Sequence, residues 1–150
     1  MKLAEALLMR SDLQIRMGQL KERLIRSSKK QEGVDTPEDP SALLEELNRV
    51  AAQLAELIQR INTTNCMSKI DDESISDLLA QREIMLQKRK ILDAVIESGA
   101  SLVTRYSRTE IRIESAINIG QLQEESDQLS KKIRETDTKI QQANWTIELR

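Results

Sequence analysis

Residues 39–61 read DPSALLEELNRVAAQLAELIQRI, and this stretch decides the fold. Asp39 offers a carboxylate to the free N–H groups of a first helical turn, and Pro40 has its φ already set for the first helical position. Behind them Leu43, Leu47, Val50, Leu54, Leu57, Ile58 and Ile61 follow one another at short helical steps. At 3.6 residues per turn they share one narrow face, so the segment is a one-sided amphipathic helix that has to bury that face on a neighbour.

Upstream, Gly33, Pro37 and a cluster of acids mark a loop over 31–39. Before the loop, Leu3, Ala6, Leu13, Met17, Leu20 and Leu24 form the heptad seam of a first helix. Arg10 occupies the seam position between Ala6 and Leu13, while Leu8 and Ile15 point nearly the opposite way and offer a second contact surface. Downstream, Ile70 and Ile75 flank Asp71-Asp72-Glu73-Ser74, a small hairpin. Ser76 is the expected cap of a third helix. Its apolar residues come in adjacent pairs, Ile84/Met85, Ile91/Leu92, Val95/Ile96 and Leu102/Val103, which widens the apolar arc and predicts a central helix with two partners. Ile111, Ile113, Ile117 and Ile119 alternate with polar residues as in a strand. Gly120 then separates a fourth helix with a seam of Leu122, Leu129, Ile133, Thr136, Ile140 and Ala143. The expectation is one domain, 1–150, mainly α: an elongated up-and-down four-helix bundle of long, coiled-coil-like antiparallel helices with a small β element. The helices cover about 2–30, 40–62, 77–104 and 121–143, and the strands about 67–76 and 110–119.

Composition closes off several chemistries. The chain has no His, no Phe, one Trp, one Tyr and one Cys. Imidazole-based metal sites, His triads and an internal disulfide therefore have no residues to build them. With 4 Gly and no glycine-rich phosphate loop, a nucleotide cradle is absent as well. Carboxylate neighbours such as Glu45/Glu46, Asp71/Asp72 and Glu124/Glu125 do occur. Adjacent acids on a helix diverge by about 100°, so none of these pairs makes a shared acid–base site locally. The expectation is a non-enzyme, with no catalytic, cofactor or metal residues assigned; an all-oxygen Mg or Ca site stays open, with no ligand spacing to mark it.

Net charge is −2, but the sign alternates along the chain: +4 over 1–34, −7 over 35–83, +3 over 84–112 and −2 over 113–150. Such segregation suits antiparallel neighbours or complementary subunits. The Arg105, Tyr106 and Arg108 group, with Arg112, is a candidate basic contact. Only Tyr106 is there to stack on a base, so an RNA-binding helical module is a minor reading and a nucleic-acid partner is not expected. Arg10 and Lys88 both fall at seam positions, where a polar layer fixes register between helices. Glu5 and Arg10 interrupt any leader-like apolar core, and no apolar run approaches the roughly 18 residues of a spanning helix. A cytoplasmic location follows as the expectation.

Several motifs resemble those of the septicolysin-like family: Lys2-Leu3-Ala4-Glu5-Ala6-Leu7, Glu38-Asp39-Pro40, Ile61-Asn62-x-Thr64-Asn65 and Arg105-Tyr106-Ser107-Arg108-x-Glu110-Ile111. The closing run Leu122-Gln123, Asp127-x-Leu129, Arg134-Glu135-x-Asp137-x-Lys139-Ile140-Gln141 and Asn144-Trp145 is similar too. The resemblance covers nearly the whole chain. It implies a helical, homo-oligomeric bacterial protein in a largely uncharacterised family, and the family name implies a pore-forming, oxygen-sensitive cytolysin for which Cys66 would supply the sensitivity. This chain departs from the family pattern at Asp71-Asp72-Glu73, where members carry a Gly-containing turn. The main expectation is a self-associating interaction or scaffold module with no cofactor, its other partner open. The cytolysin, which alone would meet a membrane, is the alternative.

On the fourth helix, Asp127, Arg134, Gln141 and Trp145 project roughly opposite Leu129. They are the candidate interface or ligand face: charged, hydrogen-bonding, and anchored by the one Trp. A solvated surface with Trp145 covering the end of the bundle is the plainer reading of the same residues.

Overall fold

The computed structural model describes residues 1–101 and 113–150. It has four long helices, α1 (Leu3–Ser27), α2 (Pro40–Met67), α3 (Ile75–Ala100) and α4 (Ile119–Thr146), and two short strands, β1 (Lys69–Ile70) and β2 (Glu73–Ser74). The fold is mainly α with a small antiparallel β element, consistent with a helical bundle. By contacts the chain divides into two compact units: residues 1–74 with 142–150, and residues 75–141.

In the first unit α1 and α2 form a helical hairpin. Asp39 caps α2 by accepting from Ser41 N at 3.0 Å, with Pro40 opening the helix as its chemistry dictates. Leu20, Leu43 and Val50 form one core cluster, with Leu13, Met17, Leu24 and Leu47 packed against it. The buried positions of α2 continue as Leu57, Ile61 and Thr64. This repeat explains why α2 runs to Met67 instead of ending near 62. Thr64 keeps the seven-residue spacing, and its hydroxyl donates to the Arg60 carbonyl at 2.8 Å, so a polar β-branched residue is satisfied inside the helix.

β1 and β2 pair with Lys69 opposite Ser74 and Ile70 opposite Glu73. Asp71 and Asp72 both sit at positive φ, 50° and 69°. This is the mirror-image turn that matches strand twist, and aspartate tolerates it better than most residues though less well than glycine. The expected hairpin thus forms without its glycine, and with strands of only two residues.

The closing residues reach the first helix. Leu3 N donates to the Ile147 carbonyl at 2.9 Å and Leu149 N to the Met1 carbonyl at 2.9 Å, a single antiparallel bridge at Lys2 and Glu148. Leu149 is buried, and Arg150 N donates to Thr64 Oγ1 at 3.0 Å. Thr64 therefore serves twice, satisfying α2 and receiving the chain's last segment.

In the second unit α3 and α4 run antiparallel, joined by polar contacts. Ser126, itself buried, donates to Asp93 Oδ1 at 2.6 Å; Lys88 pairs with Glu125 at 2.6 Å; Arg82 pairs with Asp137. Three expectations need correcting here. The described part of the strand expected over 110–119 is not a strand: residues 113–118 lack regular structure and Ile119 begins α4. Asn118 is the reason. Its Oδ1 accepts from Gln121 N at 3.1 Å, an N-cap that starts a helix where the alternating isoleucines carry the period of a strand. Ser76 does not cap α3, because Ile75 is already helical. Nor does α3 bury both sides of its apolar arc: only Ile75 and Leu78 are buried, while Ile84 and Ile91 are 62% and 63% exposed.

Candidate interaction surfaces

The apolar pairs of α3 put a stripe on each side of the helix. Met85, Leu92 and Ile96 are half-buried, on the side that carries Arg82 and Asp93 toward α4. Their companions Ile84, Ile91 and Val95 are exposed. The wide apolar arc read from the sequence is present, and half of it is left uncovered. α1 shows the same pattern on a smaller scale, with Leu8 and Ile15 exposed one heptad apart.

On α4 the expected face is fully outward: Asp127, Arg134, Gln141 and Trp145 are all exposed, the indole by 60%. Asp127 accepts from Gln123 on its own helix at 3.2 Å. Asp127, Arg134 and Gln141 lie in the second unit and Trp145 in the first. The neighbouring Asn144 is buried, as are Ile133, Ile140 and Ala143 of the expected seam. Of the pair Asn144-Trp145, one residue is used inside the chain and the other projects away from it. Arg105, Tyr106 and Arg108 lie outside the described residues.

The two polar seam residues behave differently. Lys88 is exposed and bridges α3 to Glu125 of α4, where it can fix the register of that hairpin. Arg10 is half-buried, and its Nε is shielded from solvent with no acceptor among the described residues. Cys66 is exposed in the last turn of α2, beyond residue 62 where the sequence ends that helix.

The first unit also carries two shallow grooves that the sequence does not mark. One, of about 350 Å³, lies between Met9 and Leu13 of α1 and Gln53, Glu56 and Arg60 of α2. The other, of about 430 Å³, is polar and holds Arg16, Arg23 and Glu46. Here Arg16 pairs with Glu46 at 2.6 Å, and Arg23 binds Glu38 through two nitrogens. No local pattern marks these sites, because Arg16 and Arg23 of α1 reach Glu46 of α2 and Glu38 of the loop before it, positions 15 or more residues away.

The electrostatics of the described residues favour fixed ion pairs. Hydrogen bonding to Arg23 pulls the Glu38 carboxyl below its ordinary range, and Arg16 does the same to Glu46. Lys2, together with the N-terminal amine, lowers Glu148. A carboxylate held ionised accepts hydrogen bonds and does not serve as a proton donor near neutrality. Among the described residues no three acidic or thiol side chains gather as a metal site, and no helix is long and apolar enough to cross a membrane.

A search of curated proteins gives no match. Among solved structures, the chain is similar to a functionally unknown conserved protein from Corynebacterium diphtheriae. The two are 32% identical, the match covers 100% of this chain and 99% of the other, and the TM-score is 0.90. Residues 10–149 also match the model of a family of unknown function, DUF6847. With that model spanning nearly the whole chain, this protein belongs to the DUF6847 family.

Proposed function

We propose that this chain is a non-enzymatic interaction or scaffold module that assembles with copies of itself in the cytoplasm. One observation carries the reading: Ile84, Ile91 and Val95 stand exposed on the side of α3 away from its contacts with α4. Exposed apolar residues scattered singly are ordinary, but three on one stripe at heptad-related spacing leave a seam of the kind that pairs helices. A closed symmetric assembly removes such a seam from water. The exposed Asp127, Arg134 and Gln141 of the second unit supply a more polar contact face for a subunit or another protein, and the exposed Trp145 of the first unit supplies an aromatic contact of its own. Light scattering at micromolar concentration tests the proposal. A mass of two or more chains supports it, and a monomer mass refutes it.

A further inference from the structure

We infer that α3 of one copy packs antiparallel on α3 of a second copy, with Lys90 of each helix facing Glu83 of the other. This deepens the self-association proposed above and rests on it. At 100° per residue, Ala80, Ile84, Gln87, Ile91, Ala94 and Ser98 occupy an arc of about 80° on α3. All six are exposed. The arc lies roughly opposite the side that carries Arg82 and Asp93 to α4. Ala80 and Ala94 flank the two isoleucines and Gln87, so in an antiparallel pair Ile91 of one helix can sit over Ala80 of the other. Helices pack closely when knobs meet such holes.

The edge of this arc is charged in an alternating order, Glu83, Lys90, Glu97, one heptad apart and all exposed. A two-fold axis perpendicular to α3 brings that edge against its own copy in reverse direction. With the axis level with Lys90, Lys90 meets Lys90 and Glu83 meets Glu97, which is repulsive throughout. Moving the axis to the level of Leu86 sets Glu83 against Lys90 twice, Ile84 against Gln87 and Ile91 against Ala80. Every one of these contacts falls within the observed α3. The other attractive register, Lys90 against Glu97, runs Ile84 past Ala100 where α3 ends. A parallel pairing would need Lys88 for Glu83, and Lys88 is already bridged to Glu125. Among the described residues Lys90 has no ion-pair partner, and Glu83 is held in place by a hydrogen bond from Gln87 Nε2 at 3.1 Å. Charge at the edges of paired helices sets register and partner.

The test uses the full chain and its charge-exchanged variants. Dissociation constants come from light scattering or sedimentation, and helix content is followed alongside. Lys90→Glu or Glu83→Lys alone turns two attractive contacts per dimer into two repulsive ones, and each is expected to weaken dimerisation about tenfold. The double exchange is expected to restore it to within about twofold, and Ile91→Asp to abolish it with helix content intact. A dimer indifferent to Ile91→Asp leaves self-association standing and overturns this interface. Rescue of Lys90→Glu by Glu97→Lys instead of Glu83→Lys overturns the register. A monomeric parent overturns both this inference and the proposal beneath it.

Discussion

Ser126 of α4 donates a 2.6 Å hydrogen bond to Asp93 of α3 while only 3% of it remains exposed. It is a polar contact at the heart of a helical pairing that buries few apolar side chains. Removing the hydroxyl leaves the carboxylate its access to water on the outer side, so the loss is moderate. Ser126→Ala should cost about 1 kcal/mol. That corresponds to a fall of roughly 2–4 °C in thermal midpoint for a chain of this size. An unchanged midpoint would show that the bond does not stabilise the α3–α4 pair.

Gly18 lies within α1, is exposed, and has nothing within 4 Å of where a Cβ would stand. Glycine inside a helix costs conformational entropy without a compensating contact here. Gly18→Ala should therefore stabilise the protein by up to about 1 kcal/mol, read as a higher urea midpoint at unchanged slope. A lower midpoint would mean that the site is covered in solution.

The β1–β2 turn holds two aspartates at positive φ. Asp-Gly is the preferred pair for this geometry, since the second residue then carries no side-chain penalty. Asp72→Gly should raise stability by about 0.5–1 kcal/mol, net of the added freedom of the unfolded chain. Destabilisation would show that the Asp72 carboxylate is doing something the turn geometry does not require.

Glu38, Glu46 and Glu148 all have pKa values lowered from 4.5 by basic partners. A carboxyl whose folded pKa is depressed contributes stability that is complete above its unfolded value and is lost as pH falls through the folded one. The stability attributable to these pairs should hold from neutrality to about pH 5 and decline below it. High salt should flatten that decline, because the pairs lie at the surface, at least partly open to solvent, and are screened. Glu38→Gln should remove part of the slope. An acid limb unchanged in that variant would assign the effect to other carboxylates.

Trp145 is exposed by 60%, so truncating it should change thermal stability by no more than about 0.5 kcal/mol. If the α4 face anchors a partner or subunit, Trp145→Ala or Arg134→Ala should weaken assembly by tenfold or more while helix content stays constant. Normal assembly and melting in both variants would reduce the face to plain surface.

How much was legible in the sequence depended on whether the signal was local. Asp39-Pro40 announced the start of α2 because cap chemistry involves only neighbouring residues, and the buried Leu43, Val50 and Leu57 announced its inner face. The outward Leu8 and Ile15 were equally visible, since helical period is a property of one segment. Errors came where two local signals competed. The alternating isoleucines before Gly120 outweighed Asn118, whose single cap bond starts α4, and the polar run 62–67 hid the continuation of the α2 seam through Thr64. The candidate α4 face was readable as a stripe, but whether it was spent on internal packing was not.

By itself the sequence determined that this chain is helical, where its main helices lie, and which chemistries it lacks the residues to perform. Tertiary structure alone decided the rest. It made Thr64 the receptor for Arg150, set Arg23 on Glu38 and Arg82 on Asp137, and left Ile84 and Ile91 facing water while Met85 and Leu92 turned away from it. The reason is physical. Helix formation and capping are settled within a few residues of chain, whereas an ion pair or a buried seam exists only when another helix arrives at the right distance and register, and period alone does not say which of two apolar stripes that neighbour will cover.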